Sequence, residues 1–309
     1  MTTTEKQNQD EKKSAAQVIG EIEEITNSRV ISFVGRRSLG TWDILPFHRV
    51  LAGISHQEQL SVIVQSLGEF SDDAFKLARV IREFGDEVSF IVPSVAKSAA
   101  TLLCLSGDRI LMGPTSELGP TNPMMYVDER LITPTVPEPG GLSADREERE
   151  GQPKQRQMAA LALRDFLIAA GVLTSQGAYD PEKLSVYMTN GILNPFLLGD
   201  FERSGKTSMQ YAETLLRDHM FKGKKSAAKA ARETARKLCE GYFDHAYPIV
   251  RQEARDELNL NVEGMPDELF EKTSDLVSAY DRMLSDQNIA RIIETSTGNP
   301  WTVHWKEPT

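Results

Sequence analysis

A chain of 309 residues, 40% hydrophobic and 26% charged, is long enough for one large domain or for a core of about 150–200 residues with an attachment, in an ordinary soluble globular protein. The net charge of −10 argues against general nucleic-acid affinity, which needs a basic face. No apolar run approaches the ~18–20 residues of a membrane span, and the polar N-terminus is not signal-like.

Residues 1–14 carry no apolar period and are expected to form a mobile tail. Val18, Ile19, Ile22 and Ile25 then repeat at helical spacing over 15–26. Residues 29–35 read as a first strand, and 42–53 as a helix with Ile44, Leu45, Phe47, Val50 and Leu51 on its apolar face. A buried-looking strand at 60–66 breaks at Leu67-Gly68-Glu69. The segment 70–84 is an amphipathic helix, with Ser71, Asp72 and Asp73 as N-cap candidates and Gly85 at its C-terminus. A second strand at 87–92 ends at Pro93, and a short apolar helical run at 101–105 precedes Gly107-Asp-Arg-Ile-Leu-Met112. Alternation of this kind implies parallel strands with helices packed on the sheet.

The second half reads differently. Pro134, Pro137, Pro139, Gly140 and Gly141, followed by the charge cluster at 145–150, predict an exposed mobile loop over 134–153. Helices are expected at 155–170, 181–190 and 208–220. Residues 221–240, rich in Lys, Ala and Arg, are either a patch for an anionic partner or a solvated helix face, and the acidic whole favours the second. A further helix runs to Leu260, a short connection follows, and a last helix spans 267–284, so helix is favoured over strand throughout this half. The organisation expected is a tail (1–14), an α/β core (15–133), the loop (134–153) and a helical C-terminal part (154–309) that completes the fold and makes oligomer contacts.

Two positions stand out chemically. Ser98 falls at a strand-to-helix turn, where the following N–H groups and the helix dipole favour developing negative charge. Small neighbours (Ala96, Ala99, Ala100) would let a carbonyl approach the backbone; the competing reading makes Ser98 only an N-cap. Gly68, about thirty residues earlier, ends the preceding strand in a turn, as an oxyanion hole requires, or merely lets the chain leave the sheet. Cys104 and Cys239, in apolar helical contexts, read as buried thiols in a reducing cytoplasm, and neither has zinc-site spacing. Gly35-Arg-Arg-Ser-Leu-Gly40 lacks the lysine and threonine of a nucleotide loop, so no metal or cofactor is expected.

Three stretches carry a resemblance. The first runs from Val92-Pro93 through Ala-Lys-Ser98-Ala-Ala and 107–112 to Leu118-Gly119-Pro120-Thr-Asn-Pro123. The second runs from Ala212-Glu-Thr-Leu-Leu216 to Met220-Phe-Lys-Gly223. The third is 241–249 with Glu253-Ala254 and Leu258-Asn-Leu260. Together they resemble the serine dehydrogenase proteinase family, relatives of the Clp proteases and signal peptide peptidases. The resemblance implies an α/β fold of the Clp/crotonase type, a spiral of β-β-α units, and a homo-oligomer. It also implies a cytoplasmic, ATP-independent serine endopeptidase acting on a peptide or protein substrate. Relatives carry Ser-Pro-Gly-Gly where this chain has Ser66-Leu67-Gly68-Glu69. That departure keeps two alternatives in view: a catalytically impaired peptide-binding or scaffold protein, and a crotonase-like acyl-CoA enzyme.

The resemblance makes Ser98 the nucleophile and gives the oxyanion to the N–H of Ala99 with that of Gly68 or Glu69. Clp-type triads place a histidine roughly two dozen residues after the serine, and none occurs here before His219. Signal peptide peptidases use a desolvated lysine instead. Lys206, in Arg203-Ser-Gly-Lys206-Thr-Ser208, resembles that context, with Ser208 expected to orient the amine. Lys154 and His245 are the alternative bases, although a structural, hydrogen-bonded histidine at a helix junction is the favoured reading of His245, and Lys97 is expected to point elsewhere.

Overall fold

The short, β-branched runs of the first half become strands because each is too short for a stable helix and fits a pleated, buried surface. The protein is represented by a computed structural model that describes residues 13–36, 38–128, 155–174, 176–190, 193–286 and 289–304. The first half contains α1 (Ala15–Thr26), β1 (Arg29–Gly35), α2 (Thr41–Ile54), β2 (Gln57–Gln65), α3 (Ser71–Arg82), β3 (Gly85–Val92), β4 (Val95–Ala96), α4 (Ala99–Cys104), β5 (Arg109–Met112) and β6 (Glu117–Leu118). Then come β7 (Met124–Asp128), β8 (Gln155–Ala159), α5 (Ala160–Ala169), α6 (Pro181–Thr189) and α7 (Pro195–Leu215), which runs on into a π-helical turn, Leu216–Met220. The chain ends with α8 (Ala227–Glu240), β9 (Ile249–Val250), α9 (Arg251–Asp256), β10 (Val262–Gly264), α10 (Asp267–Asp286), β11 (Ile289–Thr295) and β12 (Trp301–His304).

One seven-stranded sheet has the order β10-β5-β3-β2-β1-β11-β12. Its first five strands are mutually parallel, and β11 and β12 add antiparallel. Alternate side chains serve two cores, as the strand period dictates. Ile31, Phe33, Val62, Val64, Phe90 and Val92 face the layer that includes α2, α3 and α4. Val30, Val34, Ile63 and Ile91 face α1 and α10 on the other side. A small second sheet, β4-β6-β9, stands beside the large one. The segment β3-β4-α4 is therefore one β-β-α unit, and β5-β6 opens the next. The fold is of the α/β class expected from the sequence, a largely parallel sheet with helices on both faces.

Several element boundaries differ from the sequence reading. The helix expected at 155–170 begins only at Ala160; Gln155–Ala159 is a strand paired antiparallel with β7. The expected 208–220 helix starts thirteen residues earlier, at Pro195, where Asn194 caps it through Phe196 N and Leu197 N. The connection at 261–266 contains an edge strand, β10, beside β5. The largest difference is β11: the supposedly helical half returns a strand to the big sheet, in register with β1 from Ile31–Thr295 to Gly35–Arg291. Phe70, not Ser71, caps α3 and does so without a side-chain bond, while Gly85 opens β3. The loop expected at 134–153 and most of the 1–14 tail lie outside the described residues.

Candidate active site

The site grows from the end of β2. Ser66 continues that strand by one bridge to Ala96, with Ser66 N donating to Val95 O at 3.0 Å and Lys97 N donating to Ser66 O at 3.0 Å. The paired segment then turns at once into α4, so Ser98 falls at the corner. It is buried, with 4% of its surface exposed, and its backbone has φ 51° and ψ −118°. An N-cap serine adopts extended dihedrals and accepts a bond from the first helical turn. Ser98 does neither: its hydroxyl forms no capping bond. A non-glycine residue held at positive φ costs about 1–3 kcal/mol and persists where the surroundings over-determine it. Here they do. Thr101 Oγ1 donates to Ala96 O and accepts from Gly119 N at 2.9 Å, fastening the turn to the strand beside it.

Gly68 faces this corner. It has φ 84°, and a Cβ placed on it would lie 2.3 Å from Lys97 O, 2.6 Å from Ala99 N and 3.0 Å from Ser98 Cβ. Only glycine lets the two backbones come this close. Its N–H donates to Ser66 Oγ at 3.2 Å and its carbonyl accepts from Leu39 N at 2.8 Å. Glu69 follows at φ 127°, a conformation suited to glycine, although it carries a full side chain. Glu69 thus holds a backbone shape that glycine adopts more readily. Burial pushes the Glu69 carboxyl above the usual carboxylate range. Ala99 N–H belongs to the first turn of α4, where a helix leaves donors without intrahelical acceptors.

The basic candidates among the described residues have distinct settings. Lys97 reaches into a cradle of carbonyls: its amine donates to Leu118 O, Ala246 O and Tyr247 O at 3.2–3.3 Å and pairs with Glu117 at 2.8 Å. Its side chain is only 12% exposed, and its role is to pin the 246–247 loop against the serine turn. That loop carries His245, whose Nδ1 lies 3.0 Å from Asn122 Oδ1. An amide oxygen only accepts, so Nδ1 holds the hydrogen and Nε2 keeps its lone pair. Burial lowers the His245 pKa, with Lys97 adding to the effect and Asp244 opposing it. The imidazole is neutral at pH 7.

Lys206 sits on α7 with its side chain 77% exposed and its amine 2.9 Å from Glu202 Oε2. An exposed, ion-paired amine is not the desolvated one that a lysine base requires. Ser208 is buried on another face of that helix and donates to Thr121 O, so it does not orient the Lys206 amine. Lys154 lies outside the described residues. Among the described residues no group of three or more His, Cys, Asp or Glu side chains could hold a metal ion.

Asn122 was not singled out from the sequence. It follows Ser98 by about two dozen residues, the separation at which the Clp-type pattern expects its histidine. Spacing would have found the position, but an asparagine there has no titratable chemistry to draw notice. Cys104 and Cys239 are buried and free, as expected.

No family model matches the sequence. The chain is similar to an uncharacterized protein, MJ0137, of Methanocaldococcus jannaschii, at 23% identity over 268 residues, covering 82% of this chain and 75% of that protein. Two similar solved structures are variants of the 1510-N membrane-bound stomatin-specific protease. One is a serine-to-alanine mutant, with TM-score 0.40, 14% identity, and 79% of this chain and 84% of that one covered. The other is a lysine-to-alanine mutant in complex with a substrate peptide, with TM-score 0.41, 12% identity, and 90% and 88% covered. Among the described residues no helix is long and apolar enough to cross a membrane.

Proposed function

We propose that the chain is a serine hydrolase that cleaves peptide bonds without ATP, with Ser98 as nucleophile. The observation that carries this reading is the backbone of Ser98: strained at φ 51°, fixed from both sides, and unused as a helix cap. A structural serine gains nothing from that conformation. A nucleophile gains an Oγ set at the tip of a sharp turn, with the first N–H groups of a helix beside it.

In the mechanism, Ser98 Oγ attacks the substrate carbonyl and its proton passes to a general base. His245 is the base that the geometry favours. It is neutral, its Nδ1 is held by Asn122, and its loop is tied to the residue next to Ser98. The oxyanion accepts from the N–H of Ala99 and that of Glu69, the Gly68 N–H being bonded to Ser66 Oγ. The protonated imidazole then gives its proton to the leaving amine, and water attacks the acyl-serine with the same base assisting. Lys206 or Lys154 in that role would require a dry, unpaired amine, which the Lys206–Glu202 pair does not offer. Oligomer contacts are assigned to the helical half, where Phe196 and Phe243 stand exposed.

The Glu69 carboxyl at the oxyanion turn favours a second reading, a catalytically impaired relative that binds peptides. Fluorophosphonate labelling separates the two. A single adduct on Ser98, absent in Ser98→Ala, supports the hydrolase. An unlabelled wild type leaves the binding protein. Ser98→Ala loses no capping bond, so its stability stays within about 0.5 kcal/mol of wild type.

A further inference from the structure

A cavity of about 210 Å³ lies where α7 meets the 122–123 segment, α5 with the loop after it, and the end of α8. Pro123, Leu173, Phe201, Met209 and Cys239 supply its apolar wall. Leu173, Phe201 and Cys239 are themselves buried, so this wall is a recess of the interior and not an exposed face. A cavity of about 150 Å³ lined by Leu, Ile and Phe holds a benzene molecule. The recess therefore has room for such a ring, with space over for the carbon that tethers it.

The charged groups around it are already satisfied by one another. Glu202 accepts from Tyr179 O–H at 2.7 Å and meets Lys206 at 2.9 Å, while Arg164 lies 3.7 Å from Glu240. Two acids face two bases. An incoming ion of either sign would lose its water and find no uncompensated counter-charge. An apolar group gives up no hydrogen bonds on entering, and the water around both surfaces is released. The recess thus selects for an apolar ligand through what its polar groups no longer offer.

We propose that this cavity receives one aromatic or branched aliphatic side chain, of phenylalanine or leucine size, presented by a peptide. Two observations favour a tethered group over a free hydrocarbon. The cavity is open to solvent on one side, which leaves a path for the tether. Pro123 also lines a groove of about 620 Å³ that reaches from Glu69 and Phe70 to Thr207 on α7, with room for the backbone that carries the inserted residue. That groove brings the peptide to the oxyanion turn. The assignment of the peptide as a substrate rests on the hydrolase reading; its binding does not.

Two glycines of α7 give the test. Gly205 lines the cavity and the exposed Gly199 does not, and a Cβ added at either meets nothing within 4 Å. Gly205→Leu occupies the cavity, whereas Gly199→Leu makes the same change in water. Each replaces a poor helix former by a good one, so both melting temperatures should equal or exceed that of wild type. N-acetyl-Ala-Phe-amide is titrated into the three full-length proteins, with its Lys and Glu analogues and toluene alongside, and binding is followed by saturation-transfer NMR. The expected result is saturable binding of the Phe peptide to wild type and to Gly199→Leu, at least tenfold weaker for Gly205→Leu and for both charged analogues. No binding to wild type, equal binding to Gly205→Leu, or equal binding of the charged peptides overturns the proposal. Binding of toluene without the Phe peptide overturns it too, since the cavity would then admit only a free hydrocarbon. Ser98 labelling is read separately. Phe-peptide binding without labelling refutes the hydrolase reading alone; labelling without Phe-peptide binding refutes the cavity alone.

Discussion

At the scale of single residues, the site depends on backbone conformations that side chains resist. Gly68 and Glu69 make opposite predictions. Gly68→Ala places a methyl 2.3 Å from Lys97 O at φ 84°, and strain plus clash should cost roughly 2–4 kcal/mol in urea unfolding. Glu69→Gly relieves the strain at φ 127° and should gain about 1 kcal/mol, offset in part by the greater freedom of an unfolded glycine. It should also speed fluorophosphonate labelling, because the carboxyl leaves the turn. An unchanged stability for both variants would mean the turn is softer than its dihedrals imply. The proposed base, His245, carries a pH prediction. With burial lowering its pKa, labelling of Ser98 should rise through an apparent pKa below the ordinary histidine value of about 6.5 and be flat above it. His245→Gln should abolish that rise together with most of the rate. A rate that climbs only at alkaline pH would point to a lysine base. The sign for stability follows from the same shift. The folded state prefers neutral His245, so its contribution is present above the unfolded pKa and is lost as pH falls through the folded one.

At the scale of elements, β11 is tied in by a buried ion pair. Arg291 on β11 lies 3.4 Å from Asp43 on α2, with both side chains fully buried and the guanidinium 4.4 Å from the centre of the Phe33 ring. Asp43 also accepts from Gly40 N at 3.0 Å, so the pair joins the start of α2 to the strand. Arg291→Leu leaves that carboxylate without its cation inside the core and should cost about 3–5 kcal/mol. Arg291→Leu combined with Asp43→Leu should recover much of the loss, since a buried pair is worth little beyond an apolar one of similar volume. Chemical denaturation of the four variants of this cycle reads the coupling directly. The basic α8 carries contacts of the opposite kind, at the surface. Arg232 pairs with Glu213, Lys229 with Glu233, and Lys237 donates to Glu257 O, the pattern of a solvated face.

At the scale of the whole molecule, the helical half has apolar surface that one copy does not cover. Phe243 is wholly exposed, and Phe196, Val186 and Val250 are also largely in water. Sedimentation at micromolar concentration should therefore give a particle larger than the 34.4 kDa chain. A strictly monomeric profile refutes that expectation. Sequence alone determined the elements whose cause is local. The period of Ala74, Leu77, Ala78 and Ile81 made α3, the β-branched runs made β2 and β3, and the turn signals at Gly68 and Ser98 marked two positive-φ corners that lie side by side. It could not determine β11, because seven buried residues between a helix and a turn acquire strand geometry only from pairing with β1, more than 250 residues away in the chain. It could not rank the bases either. Lys206 and His245 differ in solvent and partners, and those are set by which element packs on which. Asn122 has meaning only because the folded chain brings His245 to its carboxamide across 123 positions of sequence. Local pattern fixes what a segment can become; desolvation and pairing across the chain fix what its side chains can do.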